Sequence, residues 1–244
     1  MTYCVALKLA HGLVFASDTR TNAGVDNVSV FRKMHTFSVP GERLITILTA
    51  GNLATTQLTI SELEDRSRAA DDRNPSLLET VSMFQTAQVV GDMLKAVIAR
   101  NDDTGQKADS KFNATLIVGG QIKGQPPRLF MIYPEGNFIE ASEDTPYFQI
   151  GETKYGRPIL VRAFDAEMSF EAAVKLLLVS FDSTIKANLS VGPPIDVQYY
   201  ANDSLKRGYE TRIKADDPYF LKISTGWGEA LREAFQHLPD FNSD

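Results

Sequence analysis

MTYCVALKLAHGLVFASDTR, residues 1–20, is the stretch that decides the fold. Alternate side chains from Tyr3 to Leu9 are apolar, His11-Gly12 supplies a turn, and Leu13 to Ser17 is apolar again. This pattern predicts a β-hairpin whose two strands are half or fully buried. Thr2 lies between the initiator methionine and the first strand, so a hydroxyl group stands at the very start of the predicted sheet.

Beyond this hairpin, the period of the apolar residues predicts the remaining elements. We predict strands at 34–39, 44–49, 114–118, 129–133, 138–141, 195–200 and 219–223. We predict helices that begin at Leu53, at Ser76, at about Tyr155, at Phe170, and after Gly226-Trp227-Gly228, with Ser169 as the N-cap of the fourth. The order of the elements is typical of an α+β protein in which two antiparallel sheets lie between helical layers, a four-layer αββα sandwich. A dinucleotide-binding sheet is excluded because the chain has no GxGxxG turn.

Composition excludes several classes of function. The chain has 244 residues, a formal net charge of -6 and a sequence pI near 5.2, which argues against a phosphate-binding surface, so no nucleic acid partner is expected. No apolar stretch approaches the roughly 20 residues that span a bilayer, and the amino terminus does not have the pattern of a secretory signal. The single cysteine, Cys4, fits a reducing cytoplasm, and the spacing of Cys and His residues predicts no metal site.

The second position suggests a specific chemistry. If Met1 is removed, the free α-amine of Thr2 lies a few ångström from its own hydroxyl, and an amine with a pKa near ~8 can act as the base that activates it. Many proteins begin with Met-Thr, so this position alone predicts nothing about catalysis. The residues that accompany Thr2 decide the matter.

Four local patterns resemble those of the proteasome beta subunits. Ala16-Ser17-Asp18-Thr19-Arg20 is similar to the family's Ala-x-Asp-x-Arg signature, and Phe31 to Phe37 is similar to its Lys-apolar strand. Leu48 to Gly51 resembles its strand-to-helix junction, and Asn188 to Pro193 resembles the segment that supports its amino terminus. The opening Met-Thr-Tyr-Cys string and Thr19 to Asp26 resemble more closely the bacterial Anbu (ancestral beta-subunit) group.

This resemblance implies an N-terminal-nucleophile hydrolase fold and a set of site residues. Thr2 is the expected nucleophile after removal of Met1, with Asp18 and Lys33 as a catalytic pair. The N–H of Gly51 is the expected oxyanion donor, since N–H groups at a helix start have no partner within the helix. No metal or organic cofactor is implied.

The resemblance also implies an organisation for the chain and its partners. We expect one domain over residues 1–244, with a C-terminal extension from about 215. Members of the family assemble into rings or open spirals, so a homo-oligomer is expected, and the substrate is expected to be a peptide or protein.

One segment departs from the family pattern. Ile150-Gly151-Glu152-Thr153 stands where proteasome subunits carry Gly-Ser-Gly, so Glu152 replaces a serine near the amino terminus. A carboxylate there favours the charged form of the amine and raises its pKa. Asn188 replaces an aspartate and partly offsets that change, and Ser190 is a further supporting residue.

The sequence therefore predicts a threonine peptidase that hydrolyses amide bonds. Two alternatives remain open at this point. The chain can be a noncatalytic, proteasome-like assembly or scaffold protein, or an N-terminal-nucleophile amidase or acyltransferase that uses the same residues with another acceptor.

Overall fold

Two antiparallel five-stranded sheets stack face to face in the computed structural model, which describes residues 2–22, 28–68, 76–102 and 112–242. In chain order the strands are β1 (Tyr3–Leu9), β2 (Gly12–Asp18), β3 (Arg20–Asn22), β4 (Val28–Val30), β5 (Met34–Val39), β6 (Arg43–Gly51), β7 (Ala114–Ile122), β8 (Arg128–Ile132), β9 (Phe138–Glu140), β10 (Tyr147–Gly151), β11 (Ile195–Ala201) and β12 (Tyr209–Ile213). The helices are α1 (Leu53–Arg68), α2 (Met83–Asp102), α3 (Arg157–Ala163), α4 (Phe170–Ala187) and α5 (Pro218–Gln236).

The strand order places β1, the first strand, inside a sheet. One sheet has the order β10-β1-β2-β11-β12 and the other β5-β6-β7-β8-β9, while β3 and β4 form a separate two-stranded ribbon. Strand β1 pairs with β2 on one side, with Cys4 opposite Ser17, and with β10 on the other, with Tyr3 opposite Gly151. The chain therefore enters the fold through a strand that has a neighbour on both sides.

Three apolar clusters separate the four layers. Helices α1 and α2 cover the β5–β9 sheet through a cluster that includes Ile47, Leu94 and Phe130. Helices α3 and α4 cover the other sheet through a cluster that includes Leu7, Leu177 and Phe181. A third cluster, which includes Phe15, Leu48 and Ile117, lies between the two sheets. The predicted αββα sandwich is confirmed.

Local signals predicted the hairpin turns and several helix starts correctly. The connection at residues 40–42 lies between β5 and β6, and Gly41 there has a φ of 77°. The Asn52 carboxamide oxygen accepts from the Thr55 N–H at 3.1 Å at the start of α1. At the start of α4, the Ser169 hydroxyl accepts from the Ala172 N–H at 3.2 Å. These are the N-caps that the sequence indicates.

Three predicted elements were wrong. The helix predicted to begin after Gly226-Trp227-Gly228 begins earlier, at Pro218, so these three residues lie within α5. The segment 219–223, predicted as a strand from its aromatic and β-branched residues, is the first part of α5, because the Asp217 carboxylate accepts from the N–H groups of Tyr219 and Phe220 and Pro218 occupies the first turn. Helix α2 begins at Met83 rather than at Ser76, since its N-cap is Ser82, whose hydroxyl accepts from the Gln85 N–H at 3.1 Å.

Several strands were not predicted, namely β3, β4, β10 and β12. Some predicted features lie outside the described residues, namely those at Met1, within 23–26, in the loop up to Pro75 and in the polar stretch after Asp102. Within the described ranges, no helix has the length and apolarity needed to cross a membrane.

Candidate active site

Thr2 lies at the start of β1 and is 7% exposed. Its carbonyl oxygen accepts a hydrogen bond from the Glu152 N–H at 2.6 Å, just beyond the end of β10. The next N–H along the chain, that of Tyr3, donates to Asp18 Oδ1 at 3.0 Å. Both polar groups of the Thr2–Tyr3 peptide are therefore held, one by each of the strands that flank β1.

Asp18 and Lys33 form a buried ion pair beside this peptide. Lys33 Nζ lies 2.8 Å from Asp18 Oδ1, and the two residues Lys33 and Asp18 are 4% and 0% exposed. The Gly192 N–H donates to Asp18 Oδ2 at 3.4 Å. Burial raises the pKa of the Asp18 carboxyl above its ordinary value, while the Lys33 ammonium and the N–H groups of Tyr3 and Gly192 act to lower it. Because all three neighbours donate, the geometry fits an ionised carboxylate.

Lys33 is also tied to its surroundings by backbone contacts. Its ammonium donates to the Arg20 carbonyl at 2.6 Å, and its own carbonyl accepts from the Thr49 N–H at 2.9 Å. Thr49 lies two residues before Gly51 on β6. The backbone of Lys33 is thus bound to the strand that ends at the predicted oxyanion donor.

Gly51 occupies a backbone conformation that other residues rarely adopt. Its φ is +124°, and a Cβ there would lie 2.4 Å from the Asn113 carbonyl oxygen and 2.7 Å from the Ala114 Cα. The next N–H, from Asn52, donates to that same Asn113 carbonyl at 2.9 Å. Only glycine therefore allows β6 to turn into α1 this close to β7.

Gly51→Ala is expected to lower the free energy of unfolding by about 1–3 kcal/mol, since it adds backbone strain and a steric clash. It is also expected to slow labelling by a threonine-directed probe at least about tenfold, because the N–H groups at the helix start are re-aimed. Thermal unfolding and labelling rates measure the two effects. Gly41→Ala is the matched control, because Gly41 has φ +77° but no atom lies within 4 Å of the place that a Cβ would take. Equal effects of the two substitutions would contradict a special role for Gly51.

The three supporting residues come together on the other side of Thr2. The Asn188 side-chain amide donates to Glu152 Oε2 at 3.0 Å, and its carboxamide oxygen accepts from the Ser190 N–H at 2.9 Å. Ser190 thus contributes through its backbone. The loop is fixed further by Arg20, whose guanidinium donates to the Leu189 carbonyl at 2.9 Å. This arrangement fixes the side chain of Glu152, the residue whose N–H binds the Thr2 carbonyl.

The structure therefore connects most of the predicted site residues to the Thr2–Tyr3 peptide. Glu152 binds the Thr2 carbonyl, and Asp18 binds the N–H of the next residue, Tyr3. Lys33 contacts Asp18, Asn188 contacts Glu152, and Ser190 contacts Asn188. Gly51 is linked to Lys33 only through Thr49. Their catalytic roles stay predictions.

Sequence reasoning missed several residues that build the site, namely Tyr3, Gln149, Gly192 and Ser180. Tyr3 and Gly192 appear within strings that match the family pattern, but neither string indicates what its residue contacts. The spacing of Tyr3, Gln149 and Ser180 carries no local signal at all.

Two stacked sheets between helical layers, with a hydroxyl residue just before an interior strand, define the N-terminal-nucleophile fold class. Within it, the proteasome subunit family matches residues 2–199, and the chain belongs to that family. None of the curated proteins with which the chain was compared matches it.

Three solved structures show how far the similarity extends. Anbu (ancestral beta-subunit) from Yersinia bercovieri is 49% identical, with a TM-score of 0.91, over 98% of this chain and 99% of that one. Anbu from Hyphomicrobium sp. strain MC1 is 50% identical, with a TM-score of 0.90, over 98% and 99%. Anbu from Pseudomonas aeruginosa, described as a helical assembly, is 45% identical, with a TM-score of 0.90, over 99% and 98%. The resemblance to Anbu in the opening residues thus extends along the whole chain.

Proposed function

We propose that this protein is a threonine peptidase, which hydrolyses amide bonds through Thr2 once Met1 has been removed. The observation that carries the proposal is the Asp18 carboxylate, which bonds the N–H that follows Thr2 and the Lys33 ammonium with the same oxygen atom. One buried group therefore sets the position of the nucleophile's backbone and of a cation together.

The proposed reaction begins with proton transfer within one residue. The free amine of Thr2 takes the proton of the Thr2 hydroxyl, and Oγ attacks the substrate carbonyl carbon. The Gly51 N–H donates to the oxyanion that forms. The intermediate then collapses, the amine passes its proton to the leaving nitrogen, and an ester to Thr2 remains. Water hydrolyses that ester and restores the hydroxyl.

Lys33 acts in this proposal through its charge. An ammonium carries three N–H donors, of which one binds Asp18 and another the Arg20 carbonyl. We assign the third to the Thr2 hydroxyl, where it favours the alkoxide as the proton leaves. Asp18 keeps the ammonium charged and oriented.

Glu152 and Asn188 set the protonation of the amine. A carboxylate near the ammonium form of Thr2 raises the pKa of that amine, and the Asn188 amide, by donating to Glu152 Oε2, weakens this attraction. Ser190 fixes the orientation of Asn188 through its N–H. The balance between these groups decides how much free amine is present at neutral pH.

Covalent labelling tests the proposal. The mass of the purified protein is first used to show that Met1 is absent. This protein is then treated with a β-lactone probe, and the adduct is located by tandem mass spectrometry. We expect the adduct on Thr2 and competition by peptide substrates. An adduct on another residue, or none, would favour the noncatalytic assembly protein. Competition only by non-peptide amides would favour the amidase or acyltransferase.

We further propose that the protein is a homo-oligomer. The end of α5 and the residues after it, 229–242, are exposed throughout, and they carry an apolar stripe of Leu231, Phe235 and Leu238 at 49%, 75% and 64% exposure. A stripe with this helical spacing on an exposed helix end is typical of a protein interface. The Pseudomonas aeruginosa relative is described as a helical assembly, which supports the same conclusion.

Phe235→Asp is expected to reduce the mass of the assembled species to that of smaller oligomers or monomers, because it places a charge in the proposed interface. Light scattering after size-exclusion chromatography measures the mass. Lys222→Asp, on an exposed position of the same helix, is the control and is expected to leave the assembly intact. If Phe235→Asp leaves the mass unchanged, the interface lies elsewhere.

A further inference from the structure

A fully buried phenol next to the proposed nucleophile is not accounted for by the proposed reaction. Tyr3 is 0% exposed, and its ring packs on Phe181 of α4 with 4.7 Å between ring centroids. Its hydroxyl lies 2.7 Å from the Ser180 hydroxyl and accepts from the Gln149 side-chain amide at 2.5 Å. The phenol thus contacts both β10 and α4.

The direction of each hydrogen bond in this group can be assigned. Ser180 donates to the Gly156 carbonyl at 3.0 Å, which uses the one proton of its hydroxyl. The Tyr3 O–H must then donate to the Ser180 oxygen. Three bonds therefore run in one direction, from Gln149 to Tyr3, from Tyr3 to Ser180, and from Ser180 to Gly156. We call this chain the Tyr3 relay.

The ends of the Tyr3 relay enclose the segment that holds Thr2. Gln149 and Gly156 are the two ends of a stretch that contains Gly151, opposite Tyr3 in the sheet, and Glu152, whose N–H binds the Thr2 carbonyl. With one end bound to the phenol directly and the other bound to it through Ser180, the stretch has a fixed distance from the residue that follows the nucleophile.

Gly156 shows how closely the relay is built. A Cβ at this position would lie 2.1 Å from the Tyr3 hydroxyl and 2.4 Å from the Ser180 hydroxyl. The N-terminal end of α3 can approach the phenol only because this residue has no side chain. Burial also raises the pKa of the Tyr3 phenol, so it keeps its proton and the relay keeps its direction.

We propose that Tyr3 is a positioning residue for Thr2: its hydroxyl, through Gln149, Ser180 and Gly156, fixes the 149–156 segment that holds the Thr2 carbonyl and the Glu152 carboxylate. The inference rests on the proposed function of Thr2. The Tyr3 hydroxyl acts only through this segment. A displacement of about 1 Å at a reacting group can cost a hundredfold in rate, so such a tether matters to catalysis.

Tyr3→Phe is the test, because it keeps the ring against Phe181 and removes one hydroxyl. The maximal rate of labelling by the β-lactone probe is expected to fall about 10–100-fold, while the probe concentration at half-saturation changes less than about threefold. The pH at which the Thr2 amine is half-acylated by an amine-selective reagent is expected to fall, since the segment that carries Glu152 is then free to move away from the amine. Tyr147→Phe, which removes a hydroxyl from the same sheet, is the control and is expected to resemble wild type.

The outcomes separate the two proposals. If the wild-type protein is never labelled, the proposed function of Thr2 is contradicted. The pH dependence of amine acylation still tests the positioning role of Tyr3 in that case. If Tyr3→Phe matches wild type in both readouts, the positioning role is overturned and the proposed function stays intact. The same conclusion follows if Tyr3→Phe changes only the probe concentration at half-saturation. If Tyr3→Phe does not fold, Ser180→Ala breaks the relay one bond later. We expect a smaller change of the same kind, and its absence overturns the proposal.

Discussion

Thr2→Ala will abolish covalent labelling by a β-lactone or epoxyketone probe, with a loss of at least about a thousandfold in rate. The substitution removes the only hydroxyl that the proposed reaction uses as nucleophile, and leaves the amine, the ion pair and the Glu152 contact to the Thr2 carbonyl. Since that contact is made by the backbone, the fold and the assembly are expected to be unchanged. Intact mass spectrometry follows the labelling, and light scattering follows the assembly.

Thr2→Ser is the matched control for this result. It keeps a hydroxyl on the same carbon and removes only a methyl group, so labelling is expected to persist within about tenfold of the wild-type rate. Met1 must be absent from the wild-type protein and from both variants, and their masses are measured to check this. Labelling that persists in Thr2→Ala would exclude Thr2 as the nucleophile.

The second large effect is expected at the buried ion pair. Lys33→Met removes the ammonium but keeps an unbranched, apolar side chain, and it leaves the Asp18 carboxylate buried without its cation. We expect the free energy of unfolding to fall by about 3–5 kcal/mol. Labelling is expected to slow at least about a hundredfold. Denaturant unfolding and labelling kinetics measure these two losses.

Two comparisons make this prediction specific. Arg212→Met breaks the Arg212–Asp196 pair, whose side chains are 35% and 10% exposed, and is expected to cost about 1 kcal/mol or less, because partly exposed pairs are screened by water. The double variant with Asp18→Asn and Lys33→Met removes both buried charges. It is expected to recover much of the stability but none of the labelling. Recovery of labelling would show that the charge on Lys33 is not needed for the reaction.

The sequence predicts those parts of the fold and site that depend on local signals. Apolar alternation identifies β1, and a continuous apolar run identifies β2. The side chains of Asn52 and Ser169 identify helix starts at the residues where the structure has them. The residues that flank Asp18 and Lys33 resemble a family pattern, and this resemblance predicts both as site residues. The structure then brings them to 2.8 Å of each other, a distance that no local pattern gives.

The remaining features depend on contacts between distant residues. The Tyr3 relay joins positions that are 146 and 177 residues apart along the chain, so neither end indicates the other. In α5, aromatic and β-branched residues at 219–223 favour a strand locally, but Asp217 and Pro218 start a helix before them. Here the cap decides the structure and residue preference does not. The cytoplasmic location and the single-domain organisation stay predictions.

The mass of the N-terminal peptide, measured on protein purified from the cells that naturally make it, tests the central claim most directly. The proposed chemistry requires a free amine on Thr2, and a retained methionine would convert that amine into a peptide nitrogen without basicity. We predict a peptide that begins at Thr2 in the mature protein. A peptide that begins at Met1 in all molecules would contradict the account.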